Sequence, residues 1–221
     1  MRTAMKLLTS IVALNEKGAI GCRNELPWRL KTDMQFFRAQ TLNNVVIMGR
    51  RTYDSIGGEL PKRHNIVLSH NSVLFPQTEN SEVATSIPEA LAKASKCRGK
   101  KTYIIGGAST YQQFSPYVER YLITIVKKEV VDADAFFDES IFCLEGDWEW
   151  KKIENIKWSP VIDDAEFDVF EVVHKRSREI SEKRNSLIND YLSKNPGRAR
   201  RRLGGALSSS GHFALEPQFQ L

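Results

Sequence analysis

The chain is poor in cysteine: Cys22, Cys97 and Cys143 are odd in number, far apart and free of any C-x-x-C pair. That pattern encodes neither a disulfide framework nor a zinc site; no other metal site is expected, and a reducing cytoplasm suits it best. Long apolar runs are missing too, since crossing a bilayer takes about 20 such residues. The one segment that looks like an export signal, residues 7–14 behind Arg2 and Lys6, is short, contains Thr9 and Ser10, and leads into Asn15-Glu16-Lys17-Gly18 instead of a small-residue cleavage site. It reads as a buried strand. Charge of one sign is also lacking where the fold is expected. The net charge of +5 hides 24 Lys and Arg against 23 Asp and Glu in residues 1–176, and residues 177–221 carry the excess with 8 against 4. A nucleic-acid-binding core is therefore not indicated, and the chain divides into a neutral domain, residues 1–176, and a basic extension, residues 177–221.

What is present is the material of one well-filled domain, with 41% hydrophobic and 27% charged residues in a chain of 221. Strand-like runs fall at residues 7–14, 45–48, 65–68, 102–105, 121–127 and 166–174, and helical patterns at residues 30–41, 52–56, 88–95 and 108–114. Several runs are solidly apolar, as in strands covered on both faces. Early alternation of strand and helix implies parallel crossovers, while the last two strands have no helix between them and are expected to pair antiparallel. The predicted class is α/β: a single-domain, mixed, mostly parallel central sheet flanked by helices, with antiparallel C-terminal strands.

Asp33 lies in Leu26-Pro27-Trp28-Arg29-Leu30-Lys31-Thr32-Asp33-Met34-Gln35-Phe36-Phe37, where Leu30, Met34 and Phe37 fall on one helical stripe with Asp33 among them. An inward carboxylate is costly unless something fixed pairs with it, so a ligand carrying a matching row of N–H donors is expected. The plainer reading is a first-turn Asp that caps the helix or faces water. Two other segments suit phosphate. Val46-Ile47-Met48-Gly49-Arg50-Arg51-Thr52-Tyr53 and Tyr103-Ile104-Ile105-Gly106-Gly107-Ala108-Ser109-Thr110-Tyr111 each read as strand, glycine turn and helix start. Helix N-termini offer unpaired N–H groups and glycine lets a phosphate approach, so two such ends can grip one dinucleotide. Arg50 and Arg51 favour an extra ribose phosphate, hence NADP over NAD. The G-x-G-x-x-G fingerprint is absent. Taken singly, Gly-Gly is a tight turn and paired arginines are a solvated face.

In order, Ile20-Gly21, Leu26-Pro27-Trp28, Asp33 with Phe36-Phe37, Val46-Ile47-Met48-Gly49-Arg50-Arg51-Thr52, Leu60-Pro61-Lys62-Arg63-His64-Asn65, Ile105-Gly106-Gly107, Tyr121-Leu122-Ile123-Thr124 and Asp134-Ala135-Phe136-Phe137 resemble dihydrofolate reductase of bacterial type across residues 6–176. The resemblance implies reduction of 7,8-dihydrofolate by NADPH, in support of one-carbon metabolism, and binding of antifolates such as trimethoprim. It implies catalytic positions at Asp33, Leu26, Trp28 and Thr124. Asp33 would bond the pterin 2-amino group and N3 and favour protonation at N5 through water, steadied by Thr124. Ile11, Met34, Phe37, Ile56, Leu60 and Ile105 would wall the substrate, with Arg63 on its glutamate α-carboxylate.

For the cofactor, the resemblance implies Ala13 and Ile20 beside the nicotinamide, with Gly21 and Asn24 in a mobile loop, residues 15–28, that closes over it. Gly49, Arg51 and Thr52 would hold the pyrophosphate together with Ile105, Gly106, Gly107, Ala108, Ser109, Thr110, Tyr111 and Gln113. Arg50, Leu68, Ser69 and His70 would surround the 2′-phosphate. Ser109 stands where some relatives place a basic residue, Leu26 replaces a methionine, and Phe36 takes a place often held by Trp.

Residues 177–221 extend past that resemblance. Ile180, Leu187, Ile188, Tyr191 and Leu192 predict a helix over residues 179–193, docking on the domain or on a second copy, stopped by Asn195-Pro196-Gly197. Arg198-Ala199-Arg200-Arg201-Arg202 and a Ser-rich stretch are expected to be disordered, and removing residues 177–221 is expected to leave turnover largely intact. A monomer is expected, with a dimer through the extension as the other arrangement. A related pterin or pyrimidine reductase, a basic-tailed nucleic-acid binder and a trimethoprim-resistant variant are the alternatives.

Overall fold

A computed structural model describes residues 5, 7–70, 78–142 and 147–196. Arg2, Lys6, Cys143 and the arginine cluster with the Ser-rich stretch behind it lie outside the described residues. In chain order the strands are β1 (Leu8–Asn15), β2 (Ala19–Gly21), β3 (Val45–Gly49), β4 (His64–Leu68), β5 (Ser81–Ala84), β6 (Thr102–Ile104), β7 (Arg120–Val126), β8 (Ala135–Phe136), β9 (Trp148–Lys152) and β10 (Phe167–His174). The helices are α1 (Lys31–Thr41), α2 (Arg50–Ser55), α3 (Ile87–Lys96), α4 (Ala108–Phe114) and α5 (Ser177–Lys194).

Eight strands form one sheet in the order β5-β4-β3-β6-β1-β7-β10-β9, parallel from β5 to β7 and antiparallel at β10 and β9. This is the mixed, mostly parallel α/β sheet that the sequence predicts. β1 shows why: its side chains alternate, with Leu8, Val12 and Leu14 in the core toward α3 and α4, and Ile11 and Ala13 in the core toward α1. The strands that sequence reading missed, β2, β5, β8 and β9, are short, and four of the five residues of edge strand β9 are exposed. Such segments carry little apolar signal.

The inward face of α1 differs from the predicted stripe. Residues 33, 36, 37, 40 and 41 share a helical face, and of these Phe36 and Thr41 are buried, whereas Met34 is 37% exposed. Leu30 is buried but extended, outside the helix, so the helical register begins one residue later than its apolar pattern suggests. α3 opens with a local cap, Ser86 Oγ accepting from Glu89 N–H. α5 packs on α3 and the 3-10 turn Ser115–Tyr117, burying Ile188 with Leu187, Tyr191 and Leu192 beside it. Of the two docking surfaces expected for this helix, the single chain shows contact with the domain itself.

Candidate active site

Asp33 stands in the first turn of α1, and its Oδ1 accepts a 2.6 Å hydrogen bond from Thr124 Oγ1 on β7, in register with Ala13 of β1. Burial pushes the Asp33 carboxyl up to about 6; the Thr124 bond opposes the rise and the Asp163 carboxylate adds to it. Asp33 is not the cap of its helix. That task falls to Asp163, which accepts from Thr32 N–H at 2.9 Å and Thr32 Oγ1 at 2.7 Å.

Two apolar clusters share residues of α1 and of the segment after β6. Phe37 and Ile105 touch both the cluster holding Ile11 and Trp28 and the cluster holding Leu60, with Ile56 packed against the latter. The Trp28 indole Nε1 is buried with no hydrogen-bond partner among the described residues. Met34 and Leu26, at 37% and 42% exposure, face outward. Arg63 is buried at the far end of α1, its Nε donating to Thr41 Oγ1 at 3.2 Å and its Nη1 to the Pro61 carbonyl at 2.7 Å. Buried Asn65 fixes this turn by accepting from Leu60 N–H and donating to the Leu60 and Arg63 carbonyls.

The two glycine turns, distant in sequence, lie side by side at the carboxyl ends of β3 and β6. Gly49 N–H donates to the Gly106 carbonyl at 2.8 Å, and Ile105 N–H to the Ile47 carbonyl at 2.9 Å. A Cβ on Gly49 would lie 2.7 Å from Thr110 Oγ1, and one on Gly107 would lie 3.3 Å from Thr52 Oγ1. Gly106 has φ +111, and a Cβ there would lie 3.2 Å from the Tyr111 ring. Gly49, Thr52, Gly106, Gly107 and Thr110 thus form one cradle of bare backbone at the starts of α2 and α4. Glycine at these positions lets the two turns pack against each other and against Thr110, Thr52 and Tyr111, which brings two helix starts, with their unpaired N–H groups, to one place where a pyrophosphate could be held. Gly49→Ala is expected to raise KM for NADPH roughly tenfold and to cost about 1–3 kcal/mol of stability, as read by steady-state kinetics and thermal melts. An unchanged KM would separate this turn from the cofactor.

Several positions expected around the cofactor are engaged otherwise. Arg50 Nε grips both oxygens of Asp54, at 2.8 and 2.9 Å, so the Arg expected at the 2′-phosphate is tied to its own helix. Tyr111 is buried and its hydroxyl donates to the Ile11 carbonyl at 2.8 Å, tying α4 to β1 rather than facing a phosphate. Ser109 Oγ accepts from Gln113 Nε2 at 2.8 Å. Arg51 and His70 are exposed, while Leu68 and Ser69 lie half-buried at the end of β4, where Ser69 N–H bonds the Ala84 carbonyl. The loop over residues 15–28 is held at its base: β2 pairs with β8, Asn15 Oδ1 caps the N–H groups of Lys17 and Ala19, and Phe137 N–H reaches the Gly18 carbonyl. Its tip, at Arg23 and Asn24 with φ 51 and 67, is exposed.

The family model for dihydrofolate reductase matches residues 7–159. The chain belongs to the dihydrofolate reductase family. A dihydrofolate reductase type 3 of Salmonella typhimurium is 38% identical over 133 residues, 60% of this chain and 79% of the relative. The dihydrofolate reductase of Enterococcus faecium is 37% identical over 137 residues, 62% and 80% of the two chains. Among solved structures, the dihydrofolate reductase from Enterococcus faecalis complexed with NADP(H) and RAB-propyl is similar with a TM-score of 0.66 and 30% identity, over 76% of this chain and 96% of that one. Activity of this family is that of an NADPH-dependent oxidoreductase acting on dihydrofolate, and no described helix is long and apolar enough to cross a membrane.

Sequence reading of this dihydrofolate reductase missed Asp163, because a cap supplied from a loop 131 positions away leaves no local pattern. It also missed the Tyr111 bridge, since a tyrosine in a helix start looks the same whether its hydroxyl points to a ligand or to a strand.

Proposed function

We propose that this enzyme converts 7,8-dihydrofolate to 5,6,7,8-tetrahydrofolate, supplying one-carbon metabolism, with Asp33 as its acid. The observation that carries this is the Asp33 carboxylate in the first turn of α1, half-buried, fixed by the 2.6 Å bond from Thr124 and on the side of the sheet where Ile11, Phe36, Leu122 and Val126 pack. An aminopyrimidinone edge offers two N–H donors in a row, which a carboxylate accepts as a bidentate pair that is strong in a dry site. Bound NADPH supplies the hydride. Asp33 holds the ring so that its reacting face is presented, and its negative charge favours a proton on N5. The Trp28 N–H, buried and without a partner among the described residues, would donate to a water that carries this proton. Ala13 and Ile20 shield the nicotinamide side, and the tip of residues 15–28 excludes solvent.

Arg63 favours dihydrofolate over a pterin without a glutamyl tail. Burial and the neighbouring Arg38 both lower its pKa, and a carboxylate seated between two guanidinium groups relieves that repulsion. Diaminopyrimidine antifolates present a similar donor row and are proposed to compete at Asp33. Purified protein should oxidise NADPH only when dihydrofolate is added, and inhibition curves for trimethoprim beside methotrexate decide whether the enzyme is a resistant variant. Equal rates with an untailed dihydropterin would point to the second reading, a pterin reductase.

A further inference from the structure

We propose that Asp163 is a positioning residue for the catalytic acid: from the loop before β10, its carboxylate holds the first turn of α1 and adds a second negative charge beside Asp33. The proposal rests on the reading of Asp33 given above. Helix starts leave their first N–H groups unpaired, and Leu30, the N-cap of α1, has no side chain able to accept one. Asp163 supplies the missing acceptor. It is 6% exposed, and its two oxygens accept from Thr32 N–H at 2.9 Å, Thr32 Oγ1 at 2.7 Å and Ser159 N–H at 2.8 Å. The backbone reinforces the clamp, with Asp163 N–H on the Ser159 carbonyl at 2.9 Å and Asp164 N–H on the Arg29 carbonyl at 3.0 Å.

The residue after Thr32 is Asp33 itself, so the clamp ends one peptide from the reacting site. All the donors on Asp163 are neutral: two backbone N–H groups and one hydroxyl leave its charge uncompensated by any cation in the clamp. The groups facing Asp33 are Thr124 from β7, Tyr111 from α4, whose phenol feels the Asp33 charge, and Asp163 from the loop. The adjoining Asp164 is paired with Lys128 at 2.9 Å, and Arg29 and Lys31 are exposed to solvent, where screening weakens them. Asp163 therefore stabilises the helix start through the macrodipole and at the same time opposes ionisation of Asp33. It lies past residue 159, where the family match ends.

The test uses the full chain without ligand, labelled with 13C at the aspartate carboxyl and titrated by NMR, the Asp33 signal being assigned by its loss in Asp33→Asn. Asp163→Asn should move the Asp33 midpoint to lower pH by roughly 0.3 unit or more, and should lower kcat/KM for dihydrofolate about tenfold, mostly through KM. Thr32→Val loosens the clamp but keeps the charge, so its midpoint should move by less than half as much. Asp163→Ser, neutral and able to cap, serves the same comparison if the Asn variant does not fold. An unmoved midpoint in a folded neutral variant, or an equal shift in Thr32→Val, overturns the proposal while leaving Asp33 as the acid. The absence of any wild-type carboxyl near pH 6 that Asp33→Asn removes would instead sink the reading of Asp33.

Discussion

Asp33→Asn is expected to lose two to four orders of magnitude in turnover at neutral pH, roughly 10²- to 10⁴-fold, while making the ligand-free protein more stable. Both outcomes have one cause. The amide keeps an oxygen to accept from Thr124, so the side chain stays in place. It cannot carry the negative charge that pairs with a protonated ring or favours a proton on N5, so the chemical step fails. The stability gain follows from burial raising the carboxyl from 3.8 to about 6. Between those values the unfolded chain releases its proton while the folded chain keeps it, so folding loses free energy as pH rises through this window. Above pH 6 the loss levels off at roughly 2–3 kcal/mol. Melting temperatures of wild type and Asn variant should coincide near pH 3.5 and separate by several degrees at pH 8, the variant melting higher. A separation that shrinks as pH rises would mean that Asp33 is not the raised group.

Ending the chain after residue 176 is expected to unfold the enzyme or leave it insoluble, while ending it after residue 196 should leave stability and rate near wild type. Arg184 of α5 is fully buried and meets Glu119, 1% exposed, at 2.5 Å. Glu119 Oε2 also accepts from Leu8 N–H at 2.8 Å, at the start of the central strand, and Arg184 Nη1 donates to the Tyr117 carbonyl at 3.1 Å. Removing α5 takes away the cation that pairs with Glu119 and uncovers the apolar surface on which Ile188, Leu187, Tyr191 and Leu192 pack, whereas removing the Arg184 charge alone leaves a buried carboxylate without its cation, which costs about 3–5 kcal/mol. The sequence alone predicts that removing residues 177–221 leaves turnover largely intact, and the buried pair is what changes the expected result. Arg184→Met alone should lower the melting temperature by roughly 10 °C, and adding Glu119→Gln should restore much of it, because a neutral amide tolerates burial better than a lone anion. If Arg184→Met melts like wild type, the pair is not what fixes α5.

These expectations separate what a linear pattern carries from what folding adds. β1, β3, β4, β6 and β7 were legible because strands buried on both faces are written as mostly apolar runs, and β10 because it alternates. The glycine turns were legible because a strand ending in glycine before a helix start is a local feature. β9 was not, since an edge strand with four of five residues exposed needs few apolar residues, and β5 was not, since it is four residues long and two of them are Ser81 and Glu82. The inward direction of Asp33 was legible too, although its companions on that face are Phe36 and Phe37 rather than Met34.

By itself the sequence determined the sheet class, the order of the motifs, the place of Asp33 at the start of α1 and the paired glycine turns, because each depends on residues close together in the chain. Only the tertiary structure decided who caps α1, which arginine is tied to its own helix, where the Tyr111 hydroxyl points and that α5 is anchored by a buried ion pair. Each of those is a hydrogen bond or charge contact whose partner is chosen by packing, and partners brought together from distant segments leave no periodic trace in either stretch.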